Sequence, residues 1–213
     1  ENEAINRYKI NSNLAVKGPK AKELQDLKQA ITKIKNCSLK KNSKNIVFSD
    51  GNPNSQIMII GEGPGANEDL EGVPFIGKTG ELLDKMLLSI NLDRNNVYIT
   101  NVVNFRPPEN RSPTQQEVAR YLPYLNEHIE IINPKILILL GSSALNAVIG
   151  DEQKISEIRG RWINKKIGKC NTSMIVSFHP AFLMRQPDQK ALSWMDLKMI
   201  RKKISDLKIK IEK

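Results

Sequence analysis

Three polar side chains from separate parts of the chain are of types that act together in enzyme active sites. Glu62 follows an apolar run, Asn101 ends a second run, and His179 follows a third, directly before Pro180. A carboxylate can orient water, an amide can bind the hydrogen-bonding edge of a planar ligand, and an imidazole can stabilise developing negative charge. Each also has an ordinary structural alternative: a tight turn, a strand-end cap or a packed histidine. Their convergence in space therefore decides between function and packing.

The elements that must bring these side chains together are apolar strands that alternate with amphipathic helices. Strands are predicted at residues 56–61, 96–101, 135–141 and 173–178, and helices at residues 20–36, 80–90, 113–132, 142–149 and 192–209. Strands that are apolar on both faces and separated by helices indicate a parallel sheet covered on both sides. The predicted fold is α/β: a three-layer α/β/α sandwich with a central, mostly parallel four-stranded sheet.

This arrangement places the polar side chains at one edge of the sheet. Ligands of open α/β sheets bind beyond the carboxyl ends of the strands, and Glu62, Asn101 and His179 each end or follow a predicted strand. The length of 213 residues suggests a single domain over residues 21–213. Residues 1–20 are polar and are predicted to form a flexible or loosely packed extension.

Composition excludes several classes of protein. The chain has 33 Lys and Arg against 23 Asp and Glu, a net charge of +10. This surplus indicates a polyanionic partner, with DNA, RNA and anionic membrane all open on charge alone. Two cysteines, Cys37 and Cys170, cannot build a disulfide scaffold or a cysteine-only metal or iron–sulfur site. The apolar runs are too short to span a membrane, and residues 1–4 lack a secretion-signal pattern, so a cytoplasmic location is expected.

Two further polar features have a less specific interpretation. The acidic cluster of Glu68, Asp69 and Glu71 is either a solvated loop or a metal site without a nearby histidine. His128 lies on the polar flank of the predicted helix 113–132, which indicates a surface position. We expect no bound metal.

Three ordered motifs of the chain resemble those of the family-4 uracil-DNA glycosylases. The first is GEGPG at residues 61–65, followed by Glu68-Asp69 and by GVPFIG at residues 72–77. The second is YITNVV at residues 98–103, followed by RPP and Asn110-Arg111, and the third is HPAFLMR at residues 179–185. The resemblance extends from about residue 22 to residue 205, nearly the whole chain.

The resemblance implies a monofunctional DNA glycosylase of base excision repair. Such an enzyme flips uracil out of DNA and hydrolyses its N-glycosidic bond to leave an abasic site. The implied uracil-binding residues are Glu62, Gly63, Phe75, Asn101 and His179. Phe75 would stack on the base, and His179 would stabilise the anionic leaving base at O2. Asn101 would bind O4 and N3–H of uracil, whereas a flipped amide would suit cytosine equally well, so discrimination requires a neighbour that locks the amide. Phe75 could also be ordinary core, but the flanking Pro74 and Gly77 favour an exposed turn.

The carboxylate that orients water is a separate question. The best-known uracil glycosylases have Asp at the position that matches Gly63, and family 4 characteristically lacks it. Glu68 is the first choice, either to position water or to close the pocket against the thymine methyl group. Glu62 is the second choice, with a part in holding the base through its backbone. The implied catalytic residues are therefore His179, Glu68 and Glu62.

The resemblance also implies DNA contacts. Leu183 and Met184 would form a wedge that fills the gap left by the flipped base, with Arg185 on a phosphate. The alternative for this stretch is a buried loop. Arg106, Arg111 and Lys78 are further expected phosphate contacts. The expected partner is uracil-containing DNA, with no membrane partner, and the chain is expected to be a monomer.

The chain departs from the family at its iron–sulfur cluster. Family-4 enzymes typically hold a [4Fe–4S] cluster with four cysteines, and the corresponding residues here are Ile34, Cys37, Phe105 and Tyr121. Only Cys37 matches, and one thiolate cannot hold such a cluster, so no cofactor is expected. The loss leaves an alternative open, a catalytically weak glycosylase-like DNA-binding or repair-accessory protein. A broader specificity that includes deaminated purines also remains open.

Overall fold

The computed structural model describes residues 18–150 and 153–211. Helix α1 begins at Pro19, so the last residues of the predicted extension belong to a helix. The rest of that extension, residues 1–17, lies outside the described residues.

A six-stranded sheet forms the centre of the fold. Its strands are β1 (Asp50–Gly51), β2 (Ile57–Gly61), β3 (Tyr98–Asn101), β4 (Ile136–Leu140), β5 (Trp162–Ile167) and β6 (Cys170–Ser177), in the order β1-β3-β2-β4-β6-β5. The four central strands are parallel, whereas β1 and β5 pair antiparallel at the two edges. This confirms the predicted mostly parallel sheet.

The predicted strand number of four is wrong because the edge strands carry no apolar pattern. β1 is only two residues long. β5 has three consecutive exposed residues, Asn164, Lys165 and Lys166. Backbone pairing with β6, through a hairpin in which Gly168 has a positive φ of 52°, makes this polar segment a strand. Exposed lysines on an edge also disfavour pairing with another chain.

The helices cover both faces of the sheet. They are α1 (Pro19–Thr32), α2 (Ser38–Lys41), α3 (Ala66–Glu71), α4 (Gly77–Leu88), α5 (Gln115–Ile132), α6 (Ser142–Val148), α7 (Ile155–Ile158), α8 (Pro180–Arg185) and α9 (Lys190–Asp206). Short 3₁₀ turns lie at Pro108–Asn110 and Pro187–Gln189. No helix in the described part of the chain is long and apolar enough to cross a membrane.

Alternate residues of the strands pack into two separate hydrophobic cores, one on each face of the sheet. On β4, Leu137 and Leu139 join the core that contains residues of α1, α5 and α6. Ile136, Ile138 and Leu140 join the core that contains residues of α4, α8 and α9. Because successive strand side chains point to opposite faces, a fully apolar strand requires a helical layer on each side. The three-layer sandwich is therefore confirmed.

His128 is buried, so its predicted surface position is wrong. It is 2% exposed, stacks on the Phe48 ring with centroids 4.6 Å apart, and places Nε2 2.8 Å from Tyr98 Oη. His128 lies on the buried face of α5 together with Tyr121 and Leu125, and the Tyr98 hydroxyl pairs with its Nε2. Burial lowers the pKa of His128 from 6.5 to about 3.

The buried imidazole predicts a loss of stability in acid. Between pH 6.5 and 3 the unfolded chain binds a proton at residue 128 that the folded chain excludes, so the free energy of unfolding falls as pH falls. From pH 7.5 to pH 5 this residue should remove about 2 kcal/mol. Urea unfolding across this range should show a shallower pH dependence for His128→Gln than for the unsubstituted protein. His179→Gln removes the other histidine, whose pKa is also lowered, so it should flatten the slope by its own share, and the double variant should lose both shares. Equal slopes for the unsubstituted and His128→Gln proteins would contradict the assignment.

Candidate active site

The carboxyl ends of the parallel strands meet at one edge of the sheet, as the sequence predicts. Gly61 at the end of β2 is in register with Asn101 at the end of β3, and Leu140 of β4 is in register with Ser177 of β6. A cavity of about 690 Å³ lies at this edge, and its lining includes Glu62, Gly63, Gly65, Glu68, Thr79, Arg111, Ser112, Ser143, Phe178, His179, Phe182 and Arg185.

Glu62 is held at the cavity wall by two hydroxyl groups. Ser143, in the first turn of α6, donates a short hydrogen bond to Oε2. Ser112, in the loop between β3 and α5, lies 3.1 Å from the same oxygen and 3.2 Å from Oε1. The Glu62 carboxylate thereby joins three segments of the chain. Neither serine was singled out from the sequence, because a serine in a polar loop has no distinguishing local pattern.

Glu68 is a buried carboxylate whose two oxygens both accept backbone hydrogen bonds. Oε2 accepts from the N–H of Gly65 at 3.1 Å, and Oε1 accepts from the N–H of Ile76 at 2.9 Å. Burial raises the pKa of Glu68 against the opposing effect of these bonds. The residue therefore fixes the backbone on both sides of α3, and it also lines the cavity.

Asp69 has a comparable structural role. It is buried, and its Oδ1 accepts from the N–H groups of Lys44 and Asn45 at 2.8 and 3.2 Å. The solvated-loop interpretation is thus wrong for Glu68 and Asp69. Among the described residues, no group of three or more His, Cys, Asp or Glu side chains could hold a metal ion.

Phe75 and Asn101 lie together next to Gly61. A Cβ atom at Gly61 would overlap both the Phe75 ring and the Asn101 Oδ1 atom, so glycine is what permits this approach. The Phe75 ring stacks near the His179 ring, with centroids 5.4 Å apart. Phe75 is only 4% exposed, so the ring is buried instead of lying on the exposed turn suggested by its neighbours. Neither Phe75 nor Asn101 is among the cavity-lining residues, and both adjoin that lining through Gly61 and His179.

The Asn101 side chain has an unsatisfied acceptor. Its Oδ1 atom is buried and has no hydrogen-bond partner among the residues that the structure describes. Buried polar atoms without a partner are rare and destabilising. Three other buried side-chain oxygens in the described residues, those of Gln56, Asn146 and Thr172, also lack a partner. The Asn101 oxygen differs from them in lying at the carboxyl end of β3 beside Gly61 and Phe75, where it can accept a hydrogen bond from an N–H group of a ligand.

His179 caps helix α8 and is thereby fixed in one tautomer. Its Nδ1 accepts from the N–H of Ala181 at 3.1 Å. Burial lowers the pKa of His179 to about 4, opposed by the Glu62 charge and assisted by the Arg185 charge. The ring is thus neutral at pH 7 with its proton on Nε2, which makes Nε2–H a hydrogen-bond donor.

Residues 48–205 match the family model described as the uracil DNA glycosylase superfamily. The chain belongs to this superfamily. The type-4 uracil-DNA glycosylase of Pyrobaculum aerophilum is 37% identical over 181 residues, covering 83% of this chain and 92% of the relative. That of Thermotoga maritima is 40% identical over 163 residues, covering 76% of this chain and 83% of the relative. That of Archaeoglobus fulgidus is 36% identical over 181 residues, covering 83% and 91% respectively.

The residues that were expected to form the DNA wedge differ in their exposure to solvent. Residues 180–185 form helix α8 instead of a loop, because His179 caps its first turn. Leu183 is 1% exposed and belongs to the same core as Phe75, so it does not project as a wedge. Met184 is 42% exposed, and Arg185 lines the cavity.

The other expected phosphate contacts are partly engaged within the chain. Arg111 donates to both Glu117 oxygens at 2.8 Å, and this interaction holds the pKa of Glu117 well below its ordinary value. Arg106 donates to Asn110 Oδ1 at 2.7 Å. Lys78 is exposed in the first turn of α4. The structure thus leaves Lys78 and Arg185 on the surface and keeps Arg111 in a surface ion pair.

The residues at the four cluster-ligand positions do not fit an iron–sulfur cluster. Ile34, Cys37, Phe105 and Tyr121 are all buried in one core. The Cys37 sulfur lies 3.3 Å from the Tyr121 hydroxyl oxygen, and one thiolate is three short of the cysteine set that such a cluster needs. Apolar and aromatic packing therefore occupies the place where these positions converge.

The environment of His179 predicts its titration. By NMR of ¹⁵N-labelled imidazole, His179 should be neutral with the proton on Nε2 at pH 7 and should titrate near pH 4. Glu62→Gln should lower the pKa of His179 further, because it removes a nearby negative charge. Arg185→Gln should shift it in the opposite direction and is the matched control. Titration near the ordinary 6.5, or shifts of the same sign in both variants, would refute the described surroundings.

Proposed function

We propose that this chain is a monofunctional uracil-DNA glycosylase. It binds DNA with uracil flipped out of the stack, breaks the bond between N1 of the base and C1′ of the sugar, and adds the oxygen of water to C1′. The observation that carries the proposal is the orphan Oδ1 of Asn101 beside the Phe75 ring. The type-4 uracil-DNA glycosylases among its relatives support the same conclusion.

The proposed recognition of the base depends on Asn101 Oδ1, which has no hydrogen-bond donor among the described residues. Uracil carries a hydrogen on N3 and can donate it to Asn101 Oδ1, whereas N3 of cytosine is an acceptor at neutral pH. With the Asn101 oxygen in this orientation the site favours uracil, whereas the reversed amide would suit cytosine. The Phe75 ring supplies an apolar face for stacking, an interaction worth about 1–3 kcal/mol per base.

The departing base is stabilised by His179. As the N-glycosidic bond breaks, the electron pair passes to the base and negative charge develops on O2. The Nε2–H of neutral His179 donates to this oxygen, as an oxyanion donor does. The N–H of Ala181 at Nδ1 keeps the ring oriented and its proton on the reactive side.

Of the two candidate carboxylates, the contacts favour Glu62 for orienting water. Glu68 accepts two backbone N–H bonds, which suits a residue that maintains the shape of the pocket. Glu62 is bonded to the hydroxyls of Ser112 and Ser143, which can rotate to admit a water molecule. This reverses the order of preference drawn from the sequence, in which Glu68 came first.

The proposed DNA contact combines electrostatic attraction to phosphates with an apolar side chain that fills the gap left by the flipped base. Met184 is the exposed apolar side chain on α8, and we assign it the wedge role with Arg185 and Lys78 on phosphates. Arg106 and Arg111 contact phosphate if the duplex replaces their partners Asn110 and Glu117. The net charge of +10 supports a polyanionic substrate. The monomeric state, the absence of a membrane partner and the cytoplasmic location stay predictions.

Excision of uracil tests the proposed function directly. An oligonucleotide with one uracil, incubated with the protein and then with alkali, should be cleaved at that position. His179→Gln should lower the single-turnover rate about 10²–10³-fold because it removes the donor to O2. Asn101→Ala should lower it strongly as well. His128→Gln is the matched control, since it changes the histidine that lies in the core, and it should retain the rate at pH 7.5.

If the uracil-containing strand stays intact at high protein concentration while DNA binding is retained, the proposed glycosylase activity is contradicted. That result would instead support the DNA-binding accessory protein considered from the sequence. Equal rates for His179→Gln and the unsubstituted protein would show that the pocket has been misassigned.

We further propose that the chain functions without an iron–sulfur cluster. The support is that Ile34, Phe105 and Tyr121 are buried in one core with Cys37, which is the one cysteine at the four positions. Purified protein should contain far less than one iron per chain and lack absorbance near ~400 nm. Cys37→Ala should keep uracil excision and lose about 1–3 kcal/mol of stability, because the buried Tyr121 hydroxyl loses its contact with the thiol. Stoichiometric iron that disappears in Cys37→Ala together with activity would overturn this proposal.

A further inference from the structure

Arg94 is a buried cation at the centre of a polar network beneath the candidate site. It lies between α4 and β3 and is only 5% exposed. Its Nη1 donates to Asp50 Oδ2 at 2.6 Å, and its Nε donates to Asp84 Oδ1 at 2.9 Å. Burying a charge is unfavourable even when it is paired, so a network of this kind calls for an explanation beyond packing.

The same guanidinium also holds the backbone of the turn that carries Phe75. Nη1 donates to the carbonyl oxygen of Pro74 at 3.1 Å, and Nη2 donates a short hydrogen bond to the carbonyl oxygen of Phe75. Phe75 has a φ of 53°, in the left-handed region that a bulky residue seldom adopts. The bonds from Arg94 therefore stabilise a strained conformation.

Helix α4 makes room for this arrangement. A Cβ atom at Gly80 would overlap the Phe75 carbonyl group, so the glycine lets the helix approach the carbonyl to which Arg94 donates. The strained turn in turn aims the Phe75 ring at Gly61 and at His179, whose ring centroid is 5.4 Å away. Phe75 therefore provides both the carbonyl group to which Arg94 donates and the ring that lies beside Asn101.

We propose that Arg94 is a positioning residue for uracil recognition. It acts through the carbonyl groups of Pro74 and Phe75 and holds the Phe75 ring as the face on which the flipped base stacks. Arg94 touches neither the base nor the sugar. The inference rests on the proposed function, because it assumes that uracil is the ligand of the site.

The experiment compares the inhibition constant of free uracil, KM and kcat in four variants. Phe75→Ala should weaken uracil inhibition roughly 5- to 100-fold, the range expected for a lost stacking contact. Arg94→Lys keeps a positive charge between the carboxylates but lacks the planar fork that serves two carbonyl groups. It should raise the uracil inhibition constant and KM by about tenfold, with a smaller change in kcat.

The double variant and a matched control separate positioning from general stability. Arg94→Lys added to Phe75→Ala should cause no further rise in the inhibition constant, because the ring that Arg94 positions is already absent. Asp84→Asn removes the negative charge of one Arg94 partner and leaves both carbonyl bonds, so it should lower stability without weakening uracil inhibition. If Arg94→Lys does not fold, Arg94→Gln with Asp84→Asn preserves the local net charge and takes its place in the series.

Each outcome has a distinct meaning. No uracil excision by the unsubstituted protein would defeat the proposed function, whatever the role of Arg94. Unchanged inhibition in Phe75→Ala would remove the stacking face on which the inference depends. Unchanged inhibition in a folded Arg94 variant, full additivity with Phe75→Ala, or an equal effect of Asp84→Asn would overturn the positioning role while leaving the proposed function intact.

Discussion

A parallel sheet made of strands that are apolar on both faces is stable only if helices cover both sides. This constraint arranges the molecule, because covering layers leave the ends of the strands as the places where polar groups can meet solvent and substrate. The register between Gly61 and Asn101, and between Leu140 and Ser177, aligns those ends. The candidate site follows from the sheet, and its residues come from segments far apart in sequence.

Around this edge, buried charges hold backbone in place. Glu68 fixes the turns on either side of α3, Asp69 fixes the segment at Lys44 and Asn45, and Arg94 fixes the carbonyl groups of Pro74 and Phe75. Near His179, the buried Asp196 of α9 accepts from the Ser177 hydroxyl at 2.7 Å and pairs with Arg159. Groups held this way need little rearrangement when a ligand arrives, which is the physical basis of preorganised electrostatic stabilisation. The Asn101 oxygen is one of four buried side-chain oxygens without a partner in the described residues, and it lies next to these preorganised groups at the end of β3.

The core beneath α1 and α5 contains the four positions that the resemblance assigns to cluster ligands. Ile34, Cys37, Phe105 and Tyr121 all belong to this core, and the Cys37 sulfur contacts the Tyr121 hydroxyl. Large side chains fill the interior at the density that proteins require, and the thiol and hydroxyl satisfy each other. The proposed base-binding residues Phe75, Asn101 and His179 are not among the residues of this core.

Local patterns determined much of this protein. The alternation of apolar runs and amphipathic stretches was sufficient for the central strands, the long helices and the layer order, because those elements bury their own apolar side chains. The same patterns placed Glu62, Asn101 and His179 at one edge of the sheet.

Only the tertiary structure decided which polar groups meet. β5 is a strand because β6 pairs with it, His128 is buried because Tyr98 and Phe48 enclose it, and Leu183 packs in the core because α8 turns it inward. The contacts of Glu62 with Ser143 and of Arg94 with the Phe75 carbonyl group join residues distant in the chain. A hydrogen bond between distant residues leaves no periodic trace in the sequence, whereas burial of an apolar face does.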